Sequence, residues 1–278
     1  MSTVTISAQD INKLRQATGA GMLDCRKALT ETNGDFEAAI DWLRKHGQKV
    51  AAKRSDREAK EGVVIAKTTS DNKTGIVVCV SCETDFVSKN TDFIAMVQGI
   101  ADAAIEKNVK TVEELNDAPV NGAKVSDLIN DKLASIGEKI GITKFERVEA
   151  PYVSSYIHGA NRIGVLVGLS SAAPEVGKDL AMQIAALNPV AVDATSVPAD
   201  VVAREKAIIV DVMKQDPKMA GKPDEMIAKI AEGKLGAFFK EQTLTAQPFV
   251  KDNAKTVADY LKESGNVKVT EFKRVALG

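Results

Sequence analysis

The first 47 residues have apolar positions three and four apart, which predicts three short amphipathic helices. Capping residues and glycine turns bound them: Ser7 to Thr18-Gly19-Ala20-Gly21, then Met22 to Asn33-Gly34, then Asp35 to Gly47. Gly47 is expected to terminate the third helix. Because all three helices are short and the turns are tight, the pattern predicts one compact helical bundle.

From Gly62 the pattern changes to runs of β-branched residues, and the same order of elements is predicted twice. Each copy has two strands joined by a turn and followed by a helix: 62–67, 70–73, 75–81 and 91–106, then 152–157, 158–161, 164–170 and 175–187. Each copy also closes with a similar strand, residues 142–148 and 269–275. Four of their seven positions are identical. We therefore expect an α+β fold with a duplicated core of antiparallel three-stranded sheets and covering helices.

A different pattern interrupts the second copy at residues 199–240, where two amphipathic helices flank the loop Asp216–Pro223. This predicts an inserted antiparallel helical hairpin. Periodicity alone leaves open whether it projects as an arm or packs back on the sheet. The polar stretch 48–61 is interpreted as a linker that is partly helical. The predicted division is thus 1–54, 55–150, 151–198 with 241–278, and 199–240.

The segment Cys82–Asn90 lies where the strand pattern gives way to the helix pattern. Residues Thr84, Asp85, Phe86 and Val87 are therefore predicted at a strand-to-helix corner, which is held at both ends and can present side chains to a partner. The alternative is that Phe86 and Val87 fill a local core while Asp85 caps a turn.

Charge and cysteine content narrow the functional classes. The 37 basic and 38 acidic side chains give a formal net charge of -1, which argues against a protein whose main role is to hold a phosphate backbone, because that needs a concentrated positive face. We therefore expect no sequence-specific binding to nucleic acid. No apolar run approaches the roughly 20 residues that cross a bilayer. Three cysteines are too few for a disulfide framework. A reducing cytoplasmic location is expected.

Catalytic motifs are scarce. His46 and His158 are the two histidines available as near-neutral bases, and Cys79 and Cys82 on one strand would point to opposite faces, which disfavours a zinc site. The sequence has neither a phosphate-binding P-loop nor a dinucleotide-binding glycine motif. We expect no catalytic residues, no metal, no cofactor and no direct nucleotide binding.

Three stretches resemble bacterial translation elongation factor Ts: RQATGAGMLDCRKALTETNGDFEAAIDWLRKHG, CETDFVSKNTDF and YIHGANRIGVLV, which begin at residues 15, 82 and 156. Weaker similarity covers nearly the whole chain, including residues 244–261. The resemblance implies an N-terminal bundle like a ubiquitin-associated (UBA) domain, a core of two related subdomains and a protruding helical hairpin.

The resemblance also implies a function. Members of this family bind the GTPase elongation factor Tu and promote release of its GDP by disturbing its magnesium and phosphate site. The positions matching the family's contacts are Leu14, Arg15, Met22 and Leu23 in the bundle, Thr84, Asp85, Phe86 and Val87 at the corner, and His158 and Gly159 in a turn. Phe86 would act as an apolar wedge. The resemblance leaves open whether the hairpin joins two copies, as in a dimer of heterodimers (a heterotetramer).

Two other functional classes make different predictions. A ribosome-associated RNA-binding protein would bind RNA in a salt-sensitive manner, and the balanced charge and few aromatic residues count against it. A small-molecule enzyme would need clustered titratable groups around a pocket, which the sequence does not offer.

Overall fold

The computed structural model describes residues 6–53, 57–216 and 222–278, and for residues 48–53 and 224 it describes the backbone only. Its helices are α1 (Ala8–Thr18), α2 (Met22–Glu31), α3 (Phe36–Lys53), α4 (Asp85–Ser88), α5 (Thr91–Glu106), α6 (Val112–Asp117), α7 (Val125–Ile136), α8 (Pro174–Leu187), α9 (Ala199–Gln215), α10 (Asp224–Gln242) and α11 (Val257–Glu263). Its strands are β1 (Glu61–Thr68), β2 (Thr74–Cys82), β3 (Pro119–Val120), β4 (Ala123–Lys124), β5 (Gly141–Glu149), β6 (Tyr152–His158), β7 (Ile163–Leu169), β8 (Pro248–Phe249), β9 (Asp252–Thr256) and β10 (Val269–Ala276). The α+β class is confirmed.

Helices α1–α3 form the predicted bundle around a core that includes Leu14, Cys25 and Leu29. The predicted caps of α1 are confirmed. The Ser7 hydroxyl accepts a hydrogen bond from the Asp10 amide, the Asp10 carboxylate accepts one from the Ser7 amide, and Gly19 ends the helix in a left-handed conformation with φ +70°.

The expectation that Gly47 terminates α3 is wrong, because the helix continues to Lys53. Gly47 instead lies against α7, where a Cβ atom would be 2.8 Å from the Cβ of Ala134. The glycine therefore allows close helix–helix approach rather than providing a cap. The predicted linker residue Arg54 and its neighbours 55–56 lie outside the described residues.

Two antiparallel three-stranded sheets make up the centre of the molecule, in the orders β1-β2-β5 and β10-β7-β6. In both sheets the last strand in the chain pairs with the second strand of the hairpin. The hairpin elements and the helices α5 and α8 lie within one or two residues of their predicted bounds.

The two sheets share one buried layer, and a helix covers the other face of each. The shared layer is formed by Val64, Ala66, Val77, Cys79, Val148, Val153, Leu166 and Val275. On β1 and β2 the alternating residues, such as Val63 and Val78, join a second cluster with α5 residues including Phe93. On β7, Val165 and Val167 pack with Leu180 and Ile184 of α8. Since both faces of β1, β2 and β7 are buried, these strands are nearly continuous apolar runs.

Helices α9 and α10 form the inserted hairpin. Met213, Ile227 and Ala231 make a small buried cluster in which, among the described residues, only hairpin residues pack. The hairpin therefore buries these three side chains within itself rather than on a sheet. Of the loop predicted at Asp216–Pro223, residues 217–221 lie outside the described residues.

Candidate partner-binding site

The predicted corner is a short connection between β2 and α5 that contains the single-turn helix α4. Thr84 has an extended backbone with φ -121° and ψ 155°. At the far end, Asn90 caps α5, because its side-chain oxygen accepts hydrogen bonds from the amides of Asp92 and Phe93 at 2.9 and 3.1 Å. The corner is therefore anchored on both sides by regular structure.

Phe86 projects from this corner with 85% of its surface exposed. The next residue, Val87, is 9% exposed and packs into the cluster between the first sheet and α5. The alternative that both side chains fill a local core thus holds for Val87 but not for Phe86. The exposed phenylalanine on this fixed corner is therefore available for contact with a partner.

Polar contacts hold the residues just before Phe86. The Glu138 carboxylate accepts hydrogen bonds from the amides of Glu83 and Thr84, both at 3.0 Å, and from the Thr84 hydroxyl at 2.6 Å. Glu138 lies in the loop between α7 and β5, far along the chain. This contact was not predicted, since nothing in a local pattern indicates that a glutamate folds back over about 54 residues.

Asp85 is half-buried and pairs with Lys89 one turn later in the chain, at 2.7 Å from carboxylate oxygen to Nζ. The hydrogen bond from Lys89 and then its positive charge hold the pKa of Asp85 below its ordinary value. Asp85 is therefore ionised at neutral pH and presents a negative charge beside the exposed Phe86 ring.

The predicted bundle residues divide into surface and core. Met22 and Leu23, at the start of α2, are 59% and 81% exposed, and they line a shallow groove of about 260 Å³ with Ala8, Ile11, Asn12 and Arg26. Arg15 is also exposed. Leu14 differs from the expectation of a contact residue: it is 0% exposed and packs in the bundle core. In this structure Leu14 supports the surface from below.

His158 ends β6, and Gly159 follows it in the turn to β7. Both are exposed, and Gly159 has φ +63°, a left-handed conformation that favours glycine. The Tyr156 hydroxyl lies 3.0 Å from Nδ1 of His158 and fixes the ring's position. The predicted residues thus lie on three different parts of the fold: the bundle, the corner and this turn.

The described residues offer little for metal or thiol chemistry. Among residues 6–53, 57–216 and 222–278, no three His, Cys, Asp or Glu side chains are grouped as a metal site would require. Cys79 faces the layer between the sheets and Cys82 faces the cluster beneath α5. Burial, followed by the charges of Glu138 and Glu61, raises the pKa of Cys82 to about 12. In the same described ranges, no helix is both long and apolar enough to cross a membrane.

Comparison with known proteins gives a consistent result over most of the chain. The family model described as "Elongation factor TS" matches residues 83–278. That range includes the corner from Glu83 onwards, the hairpin strands β6 and β7 of the second sheet, and the inserted helices α9 and α10.

Individual relatives match over nearly their full length. An elongation factor Ts from Christiangramia forsetii is 48% identical over 98% of this chain and 99% of its own. One from Flavobacterium psychrophilum is 47% identical over 99% of both chains. A more divergent protein of the same name from Methylococcus capsulatus is 42% identical over 99% of this chain and 93% of its own.

Proposed function

The chain belongs to the elongation factor Ts family, and we propose that it is a guanine nucleotide exchange factor that binds elongation factor Tu and promotes release of its GDP, so that GTP can bind during translation elongation. The chain itself makes and breaks no covalent bond in this role. It therefore needs no catalytic acid or base, no cofactor and no nucleotide site of its own.

Nucleotide exchange follows from the thermodynamic linkage between the binding of GDP and the binding of the exchange factor to the same GTPase. A GTPase that holds GDP with nanomolar affinity has about 12 kcal/mol of binding free energy at the 1 M standard state. A protein that binds the nucleotide-free form better than the GDP-bound form weakens GDP by the same factor by which GDP weakens that protein. Because the factor is released unchanged, it accelerates equilibration without setting its direction, which the nucleotide concentrations determine.

The exposed and anchored Phe86 is the observation that carries the proposal. An aromatic ring on a rigid corner can enter an apolar cleft in a partner without first having to be ordered. In the proposed mechanism Phe86 is the wedge that displaces groups holding the partner's magnesium. The diphosphate charge is then poorly compensated, and GDP dissociates. Thr84, Asp85 and Val87 form the supporting part of this contact.

Two further surfaces supply binding free energy for this insertion. Met22, Leu23 and Arg15 at the bundle would contact the nucleotide-binding domain of the partner, with Leu14 beneath them. His158 and Gly159 would contact a different domain. Since the three surfaces lie on separate parts of the fold, the partner would be bound at two places besides the wedge.

The decisive experiment measures release of a fluorescent GDP analogue from purified elongation factor Tu. With this protein present, we expect release to be faster by orders of magnitude, with saturation as its concentration rises. A protein that binds the GTPase but leaves the release rate unchanged would contradict exchange activity. A protein that does not bind it would contradict the partner.

We also propose the finer architectural assignments. The division into 1–54, 55–150, 151–198 with 241–278, and 199–240 remains a prediction, as does the UBA-like character of the bundle. Duplication of the core is supported by equivalent pairings: Phe145 and Phe272 lie opposite valines of the central strands, and Val148 and Val275 lie opposite glycines. Arg147 and Arg274 each donate to a carbonyl at or just beyond the C-terminal end of the covering helix.

Oligomeric state and location complete the proposal. Ile208, Val212 and Met226 leave large apolar side chains exposed on the hairpin, which would suit contact between two copies in a dimer of heterodimers. A cytoplasmic location follows from the proposed role in translation. The proposed function includes neither sequence-specific binding to nucleic acid nor binding to a membrane.

A further inference from the structure

We propose that Glu138 is a positioning residue for Phe86, which holds the corner in the geometry that inserts the ring into the partner. This inference rests on the proposed exchange function. Glu138 lies about 54 residues after the corner in the chain, and its side chain reaches the corner from the loop that joins α7 to β5.

The Glu138 carboxylate uses both oxygens on the corner. One oxygen accepts hydrogen bonds from two successive amides, those of Glu83 and Thr84, and the other accepts from the Thr84 hydroxyl. Two successive amides that converge on one carboxylate oxygen fix the direction of the backbone between them. Hydrogen bonds to a charged acceptor are about twice as strong as neutral ones.

Thr84 is fixed on its remaining polar group as well. Its carbonyl oxygen accepts hydrogen bonds from the Cys82 thiol at 3.2 Å and the Ser88 amide at 3.3 Å. The backbone is thus held two residues before Phe86, and buried Val87 holds it one residue after. Phe86 projects from a segment whose ends have little freedom.

A reciprocal contact joins the same two segments. The Glu83 carboxylate accepts a hydrogen bond from the amide of Lys139 at 2.6 Å and one from Arg57 at 3.2 Å. The loop that carries Glu138 is therefore itself tied to the corner. Each segment supplies one glutamate to the backbone amides of the other, so neither can shift alone.

This arrangement matters for a wedge more than for stability. The polar contacts between the two segments are part-buried and lie outside the core. At such a partly exposed position, water can replace a lost hydrogen bond at modest cost in stability. A mobile corner, however, would have to be ordered each time Phe86 is inserted, at roughly 1–2 kcal/mol for each residue's backbone. Removing the Glu138 carboxylate should therefore have a larger effect on the rate of GDP release than on the stability of the fold.

The test is a double-mutant cycle with purified elongation factor Tu and a fluorescent GDP analogue. Glu138→Ala is measured alone and combined with Phe86→Ala, and Glu106→Ala, at an exposed position at the end of α5, is the matched control. We expect Glu138→Ala to lower the maximal release rate about tenfold in the wild-type background. In the Phe86→Ala background it should lower the rate less than twofold, because no ring remains to be positioned.

Two results would overturn this role: an unchanged maximal rate, or an equal loss in both backgrounds, which would mean that Glu138 acts by a route other than Phe86. If Glu138→Ala lowers the melting temperature substantially, Glu138→Gln, which keeps the size and one carbonyl acceptor, replaces it with an expected loss of two- to fivefold. Amide hydrogen exchange at Glu83 and Thr84 should be faster in Glu138→Ala, and unchanged exchange in that variant would exclude the positioning contact.

The controls separate this inference from the proposed function. If the wild type does not accelerate GDP release, the exchange function fails, and the role of Glu138 fails with it. If the wild type and Glu106→Ala are active and Glu138→Ala matches them, only the positioning role fails.

Discussion

Phe86 and Val87 are neighbours in the chain, but Phe86 is 85% exposed and Val87 is 9% exposed. The buried valine anchors the corner to the cluster beneath α5, so that the adjacent ring is presented outward. One residue supplies folding free energy and the next is available for binding.

The first prediction concerns Phe86→Ala. We expect the maximal rate of GDP release to fall about 30-fold, equivalent to roughly 2 kcal/mol, which is typical of a central aromatic contact. The free energy of unfolding should change by less than about 0.5 kcal/mol because the ring is exposed. Stopped-flow nucleotide release and urea denaturation measure the two quantities.

Phe93→Ala is the matched control in the same segment, since Phe93 is 0% exposed. It should lower the free energy of unfolding by about 3–5 kcal/mol. A Phe86→Ala protein as unstable as this control would show that Phe86 belongs to the core.

The second prediction concerns the close approach of the two sheets at Gly164. A Cβ atom there would lie 2.7 Å from side-chain carbons of both Val64 and Val77, which face Gly164 from the other sheet. Gly164→Ala should therefore force the sheets apart and cost about 1–3 kcal/mol of unfolding free energy, or more. Urea denaturation at 25 °C measures the change.

Gly236 provides the opposite case in α10, where a Cβ atom would meet nothing within 4 Å. Gly236→Ala should stabilise the hairpin by roughly 0.5–1 kcal/mol through higher helix propensity. If Gly164→Ala left the free energy of unfolding unchanged or raised it, the close approach of the sheets at Gly164 would be contradicted.

The third prediction concerns thiol reactivity. All three cysteines are buried, and the pKa of Cys82 is raised to about 12, mainly by burial. Since the thiolate is the reactive form, the native protein should react slowly with a thiol reagent at pH 8, and three thiols should react after denaturation in guanidinium. Rapid labelling of Cys82 in the native state would contradict its placement beneath the corner.

The fourth prediction concerns Tyr260, whose hydroxyl donates a hydrogen bond to the buried carboxylate of Asp179 at 3.0 Å. Burial, followed by this hydrogen bond and the charge of Asp179, raises the pKa of Tyr260 to about 12 from an ordinary 10.0. A raised pKa means that the folded chain keeps a proton that the unfolded chain loses. Stability from this group is therefore complete below pH 10 and declines between pH 10 and 12.

Ultraviolet absorbance can follow this titration directly, because the chain has three tyrosines. One of them should ionise last in the native protein, and that late step should disappear in Tyr260→Phe. If the late step remained in Tyr260→Phe, another tyrosine would be responsible for it.

The elements with strong periodicity could be predicted from the sequence. The hairpins, α5, α8 and the start of α9 follow from alternation or 3.6-residue spacing that local composition determines. The structural role of Gly47 could not be predicted, since a glycine that ends a helix and a glycine that allows two helices to pack closely look the same in the sequence. Only the partner helix α7, 78 or more residues later, distinguishes them.

The site was predictable to a similar extent. The corner itself follows from the change of period at Cys82–Asn90, but which of Phe86 and Val87 faces outward depends on the single turn α4. Leu14 has the apolar character of a contact residue, and its burial depends on the packing of three helices. The Glu138 contact depends wholly on tertiary structure.

The shared layer between the sheets has a consequence for biosynthesis. The strands of the first sheet are all synthesised once the ribosome has reached Glu149, but their inner face, with Val64 and Val77, is covered only by strands that follow. At roughly 5–20 residues per second, about 1–4 s pass before β7 is made. About 6–25 s pass between the synthesis of Glu149 and the completion of β10, which pairs with β7. During elongation the half-finished chain carries an uncovered apolar sheet, which is the stage at which it would most need a chaperone.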